Sequence, residues 1–129
     1  MNNKEKINTE LKDFCENIEN LFQGNAQNKD LLFKKILSGF SPEFKMINGD
    51  GNTITFAMFS DWLPSVFGKF PDRKVQIENI EIHQTEHHGL ATYIEIQTTE
   101  GIANQRTGSA VFLCNEEKAL WYHLVESWI

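Results

Sequence analysis

Between Ile7 and Phe22 the apolar positions Ile7, Leu11, Phe14, Cys15, Ile18, Leu21 and Phe22 recur at spacings of three and four. That period gathers them on one face of a helix over about Lys4–Phe22, and Gly24 is placed to stop it. Asn28 as a cap, followed by Leu32, Phe33, Ile36 and Leu37, predicts a second helix, closed by Gly39 and barred from continuing by Pro42. The two helices read as a hairpin. Phe44–Asn48 and Asn52–Thr55, joined by Gly49, Asp50 and Gly51, read as a short, lid-like β-hairpin. Phe56, Phe59, Trp62, Leu63, Val66 and Phe67 then resume the helical spacing. Pro64 either kinks this third helix or lies in its first turn, and Gly68 and Pro71 end it.

From Lys74 onward the period changes to two, in four segments: Lys74–Glu86, Leu90–Thr99, Ile102–Cys114 and Lys118–Ile129. They form an antiparallel meander. In the first segment Val75 and Ile77 have one parity and Ile80 and Ile82 the other, which predicts a bulge near Glu78 and Asn79 that bends the sheet. A two-residue loop of Glu100 and Gly101 sets Glu95 opposite Arg106, Gln97 opposite Asn104 and Tyr93 opposite Gly108. A loop of Glu116 and Glu117 sets Arg106 opposite Ser127, Ala110 opposite His123 and Phe112 opposite Trp121. A loop of His87, His88 and Gly89 puts Ile82 on the face of Ile94. One sheet face then collects Ile80, Ile82, Ile94, Ile96, Val111, Leu113, Leu120, Tyr122, Leu124 and Trp128. The other collects His83, Tyr93, Glu95, Gln97, Arg106, Trp121, His123 and Ser127, aromatic walls mixed with titratable groups, as in a ligand pocket.

At 129 residues the chain is expected to form one domain, residues 1–129, with a core large enough to need no disulfide or metal staple. Ten phenylalanines and three tryptophans supply bulk for packing around a curved sheet. A net charge of −6 opposes binding to nucleic acid or to an anionic membrane, since both draw affinity from lysine and arginine on phosphates. Cys15 and Cys114 make no disulfide framework. With a polar N-terminal stretch and no apolar run long enough to span a bilayer, the expected location is the cytoplasm.

The order of helices, small hairpin, helix and long meander resembles the nuclear transport factor 2-like superfamily, with its SnoaL-like and ketosteroid isomerase-like members. More narrowly, Tyr93, Glu95 and Gln97, then Arg106, Ser109 and Phe112, then Trp121, His123, Leu124, Glu126 and Trp128 look like the strand motifs of an uncharacterised bacterial SnoaL-like group. The resemblance implies an α+β fold, a cone-shaped barrel of strongly bent antiparallel sheet closed by about three N-terminal helices. It also implies homodimers through the sheet and a cavity used for isomerisation, cyclisation or binding. No residues match the isomerase catalytic set.

The leading expectation is a domain that binds a small organic ligand without a cofactor. Tyr93, Gln97, Arg106, Trp121 and Trp62 are the candidate ligand contacts. The alternatives are a lyase, isomerase or cyclase using His123 or Glu95 as base, and a non-catalytic homodimeric interaction module. The Glu95–Arg106 pair also has a plain reading, a cross-strand ion pair worth about 0.2–1 kcal/mol on a solvated sheet. His83, His87 and His88 are rejected as a metal site, because neighbours on a strand point oppositely and no further ligand completes a spacing. Ser109 lacks the glycines of a nucleophile elbow, and Asp61 reads as a solvated helix residue.

Overall fold

Helix α1 (Asn3–Gln23) starts where the Asn2 side chain accepts the Glu5 N–H, and ends where Gly24 takes a left-handed φ of 71°. The computed structural model describes every residue, Met1–Ile129. The face predicted for α1 is the buried one: Ile7, Leu11, Ile18, Leu21 and Phe22 all belong to the core. Helix α2 (Lys29–Leu37) is capped by Asn28, as read from the sequence, and buries Leu32 and Ile36. Helix α3 (Phe56–Val66) is capped by Thr55 and carries Pro64 inside it. No helix is long and apolar enough to cross a membrane.

Six strands follow the order β2-β1-β6-β5-β4-β3 in a single open sheet. They are β1 (Phe40–Ile47), β2 (Thr53–Thr55), β3 (Lys74–Gln84), β4 (His88–Thr99), β5 (Ile102–Cys114) and β6 (Ala119–Trp128). The predicted four-stranded meander is present, and the small hairpin joins it as a continuation of the sheet. The β1–β6 pairing is parallel, so the sheet is mixed. Strand β1 also begins four residues earlier than the sequence predicts, at Phe40. Pro42 is accommodated because the β1–β6 register is broken between Phe40 and Lys45, where no ladder hydrogen bond is required of it.

The bulge expected in β3 lies between Glu78 and Glu81, with Asn79 at φ 56°. The β3–β4 connection is one residue longer than expected, since Gln84 pairs with Gly89 and Ile82 with Ala91. Ile82 therefore shares a face with Ala91, which is fully buried, and not with Ile94. The core lies on the concave side, between the helices and the sheet. Trp121, 1% exposed, stands at its centre with Phe112 at 4.6 Å, Phe14 at 5.2 Å and Phe40 stacked at 5.7 Å between ring centres.

Candidate functional site

The β4–β5 ladder has the register inferred from the Glu100–Gly101 turn: Tyr93 pairs with Gly108, Glu95 with Arg106 and Gln97 with Asn104. Along β4 the alternation is clean, with Ala91, Tyr93, Glu95 and Gln97 all buried on the concave face. Gly108 is needed opposite Tyr93, because a Cβ there would stand 2.4 Å from the phenol Cζ.

The β5–β6 ladder departs from expectation. It starts in the predicted register, Phe112 opposite Trp121, then shifts between Val111 and Phe112 so that Val111 pairs with His123 and Arg106 with Trp128. Tyr122 is the extra residue of this bulge. Beyond it every side chain of β6 changes face. His123, expected as a catalytic base in the pocket, lies on the opposite face from Leu124 and does not line the cavity, and Ser127 moves with it. Leu124 and Trp128, assigned to the aliphatic layer, move to the other face together with Glu126; Leu124 and Glu126 line the cavity, and Trp128 stays half exposed beside Arg106.

A cavity of about 610 Å³ is lined by twenty-one residues, fifteen of them hydrophobic. Phe14, Ile18 and Phe22 come from α1, Phe40, Phe44 and Met46 from β1, and Phe59, Trp62 and Val66 from α3. The polar groups come from the sheet side: Glu95 and Gln97 on β4, Arg106 on β5 and Glu126 on β6, with Arg73 ahead of β3 and Asn48 at the hairpin turn. Of the seven candidate residues, Glu95, Tyr93, Gln97, Arg106, Trp121 and Trp62 line this space, and His123 does not. Arg73 and Asn48 are polar lining residues that the sequence does not single out, and Glu126 is quoted there in the strand motif but not among the seven candidates.

The polar groups form one cluster. Gln97 donates Nε2–H to Glu95 Oε2 at 2.7 Å, which orients the carboxylate. Arg106 stands between two carboxylates, Nε 3.8 Å from Glu95 Oε2 and Nη1 3.8 Å from Glu126 Oε1. Both distances suit ionic attraction and exceed a hydrogen bond. The one hydrogen bond Arg106 makes is from Nη2 to Asn104 Oδ1 at 3.0 Å, and Nε is buried without an acceptor. Its guanidinium lies 4.4 Å from the centre of the Trp128 ring, whose Nε1–H donates to Asp50 Oδ1 at 2.9 Å. Trp128 thereby ties the β1–β2 turn to Arg106.

Arg73 is stacked 3.7 Å from the centre of the Phe70 ring and donates Nε–H to Thr99 Oγ1 at 2.8 Å. Burial lowers its pKa, and the charge of Arg106 lowers it further. Burial pushes the Glu126 carboxyl up to about 7, with Glu95 adding to the rise and Arg106 opposing it. The Tyr93 phenol is driven well above its usual value by burial and then by Glu95, so it is a neutral O–H donor. A second raised carboxyl, Glu10, lies outside the cavity. It accepts the Trp121 indole N–H at 2.9 Å, and burial carries it to about 7.

No protein-family model matches the chain, and no curated protein matches it in sequence. Its fold is matched by many solved structures. A nuclear transport factor 2-like protein of unknown function from Pseudomonas aeruginosa superposes with a TM-score of 0.90 at 17% identity, over 96% of this chain and 98% of that one. A second such protein, from Cytophaga hutchinsonii, gives 0.77 at 15% identity over 100% of both chains. A proposed dehydratase of the same family from Streptomyces avermitilis gives 0.77 at 10% identity, over 98% of this chain and 96% of that one. The chain has the nuclear transport factor 2-like fold, also described as cystatin-like. Identities this low carry the architecture and leave function to the residues of the cavity.

Proposed function

We propose that this domain binds a small, largely apolar organic molecule in the cone, with its polar end held by the cluster of Glu95, Gln97, Arg106 and Glu126. The observation that carries this reading is the cavity's division: aromatic walls from the helices and β1, and hydrogen-bonding groups from β4, β5 and β6, the β1–β2 turn and the residue before β3. Tight ligands stabilise a folded protein by mass action. A thermal-shift screen of aromatic and polycyclic compounds is expected to raise the melting temperature for some of them. A broad screen that left it unmoved would oppose the reading.

One observation favours a second reading, catalysis by proton transfer. Burial pushes the Glu126 carboxyl up to about 7 within the same cavity that Glu95 lines, which gives the cavity a group able to exchange a proton at neutral pH. A lyase or isomerase of this kind would lose its turnover in Glu126→Gln and Glu95→Gln proteins and keep it in His123→Ala. Undiminished turnover in either glutamine variant would count against that carboxyl's role.

For assembly we propose a homodimer through the convex sheet face. Leu90 and Val125, 39% and 38% exposed, stand there with Ile94, Ile96 and Val111, and the helices pack on the other side. Sedimentation at micromolar concentration is expected to give twice the mass of the chain, and a monomer would refute it. The free thiols of Cys15 and Cys114 suit a reducing compartment such as the cytoplasm.

A further inference from the structure

Within the binding reading, the polar cluster narrows the chemistry of the ligand. Two guanidinium groups line one mainly apolar cavity, and they are close enough for Arg106 to disfavour the charge on Arg73. A buried guanidinium needs acceptors, and Arg106 is short of them. Arg106 has a single hydrogen bond, to Asn104, and a buried Nε with no acceptor. Its two neighbouring carboxylates stay at 3.8 Å, where they attract its charge without completing its hydrogen bonds. Arg73 spends its Nε on Thr99 and its face on Phe70.

We propose that the cavity is built for an aromatic carboxylate, taken up together with a proton that resides on Glu126. The aromatic body lies against Phe and Trp side chains, and the carboxylate supplies the guanidinium groups with paired acceptor oxygens. With both Glu95 and Glu126 ionised, the two arginines are already neutralised and a third carboxylate would be repelled. With Glu126 protonated, the cluster keeps Arg73, Arg106 and Glu95 as its charges, a net positive site for one monoanion. The remaining charged or titratable groups near it are Asp72, exposed outside the lining, whose charge supports that of Arg73 and whose Oδ2 accepts the Glu100 N–H, Tyr93 on β4, neutral as an O–H donor, and Asp50 at the hairpin turn, engaged with Trp128. On the α1 side, Cys15 donates to the Val75 carbonyl and Glu19 accepts the Val75 N–H. None of these replaces Glu126 as the proton carrier, because Glu126 alone both faces the cavity and titrates at about 7.

The test is isothermal titration calorimetry of the whole chain with three probes that share one ring system: 2-naphthoate, the neutral 2-naphthamide and the cationic 2-(aminomethyl)naphthalene. At pH 6 the carboxylate is expected to bind at least about tenfold tighter than the amide, as a charge-assisted contact gives. Its affinity is expected to fall on the order of tenfold between pH 6 and pH 8, following the protonated fraction of Glu126. Buffers of different ionisation enthalpy should report uptake of up to one proton at pH 8. In Glu126→Gln, where the amide is uncharged at every pH, 2-naphthoate should bind at pH 8 as it does to the wild type at pH 6. Wild-type data alone decide the matter if that variant does not fold. Amide or amine binding as tight as the carboxylate, or carboxylate binding without pH dependence and proton uptake, overturns this inference while leaving ligand binding intact. No heat from any probe at millimolar concentration counts against both.

Discussion

The β4–β5 and β5–β6 hairpins share strand β5, and both are joined by tight turns. In the first, the register set at Glu100 and Gly101 runs unbroken from Thr99–Ile102 to His88–Leu113. In the second it holds from Cys114–Ala119 only as far as Phe112–Trp121, and Tyr122 then shifts the rest by one residue. A turn determines pairing only up to the first bulge, and beyond it the pattern of buried side chains takes over. Here the shift exchanges His123 for Glu126 in the cavity. The chemistry of the site changes with it, from an imidazole near a carboxylate to two carboxyls around one arginine.

The largest expected effect lies just ahead of the bulge. Trp121→Ala removes the central ring of the core and the donor to Glu10, and is expected to cost roughly 3–5 kcal/mol in chemical denaturation. A loss below about 1 kcal/mol would mean that Trp121 does not occupy that centre.

Glu126→Gln sharpens the comparison beyond the bulge. The folded-state pKa of Glu126 is raised from 4.5 to about 7, so the folded protein holds its proton more tightly than the unfolded chain. Its stability contribution is therefore complete below about pH 4.5, declines as pH rises toward 7, and stays constant above that. Glu10 behaves in the same sense. The glutamine variant is expected to match the wild type near pH 4 and to exceed it at pH 8 by on the order of 2–3 kcal/mol, measured by urea titration at each pH.

Gly108→Ala tests the regular hairpin. Its new methyl would meet the buried Tyr93 ring at 2.4 Å, and a loss of about 1–3 kcal/mol is expected. The smallest effect is assigned to His123→Ala, within about 0.5 kcal/mol as for other substitutions away from core and caps, with ligand affinity unchanged. Loss of ligand binding in this variant alone would restore the unshifted register.

How much could be read in advance follows the same division. The buried faces of α1 and α2, the Gly24 stop of α1, the Asn28 cap of α2, and the pairing of Glu95 with Arg106 are all legible, because each depends on local period or on an adjacent turn. The bulge in β3 was legible from the parity change between Ile77 and Ile80. Strand β6 carries a comparable sign, since Trp121 and Leu124 are three apart and both bury on one face. Large apolar residues of both parities there concealed the break. The parallel pairing of β1 with β6 has no local signal, because it joins segments some eighty residues apart. Arg73 and Asn48 reach the cavity from the ends of elements, where no period applies.

The most direct measurement is a carbon-13 NMR pH titration of the glutamate side-chain carboxyls, assigned with Glu126→Gln and Glu10→Gln proteins. Two carboxyls are expected to titrate at about 7, those of Glu126 and Glu10. Adding 2-naphthoate should shift the first and leave the second in place, since Glu126 lines the cavity and Glu10 does not. A Glu126 resonance that titrates with the solvent-exposed glutamates, and ignores the ligand, would place Glu126 on the convex face and contradict the shifted register.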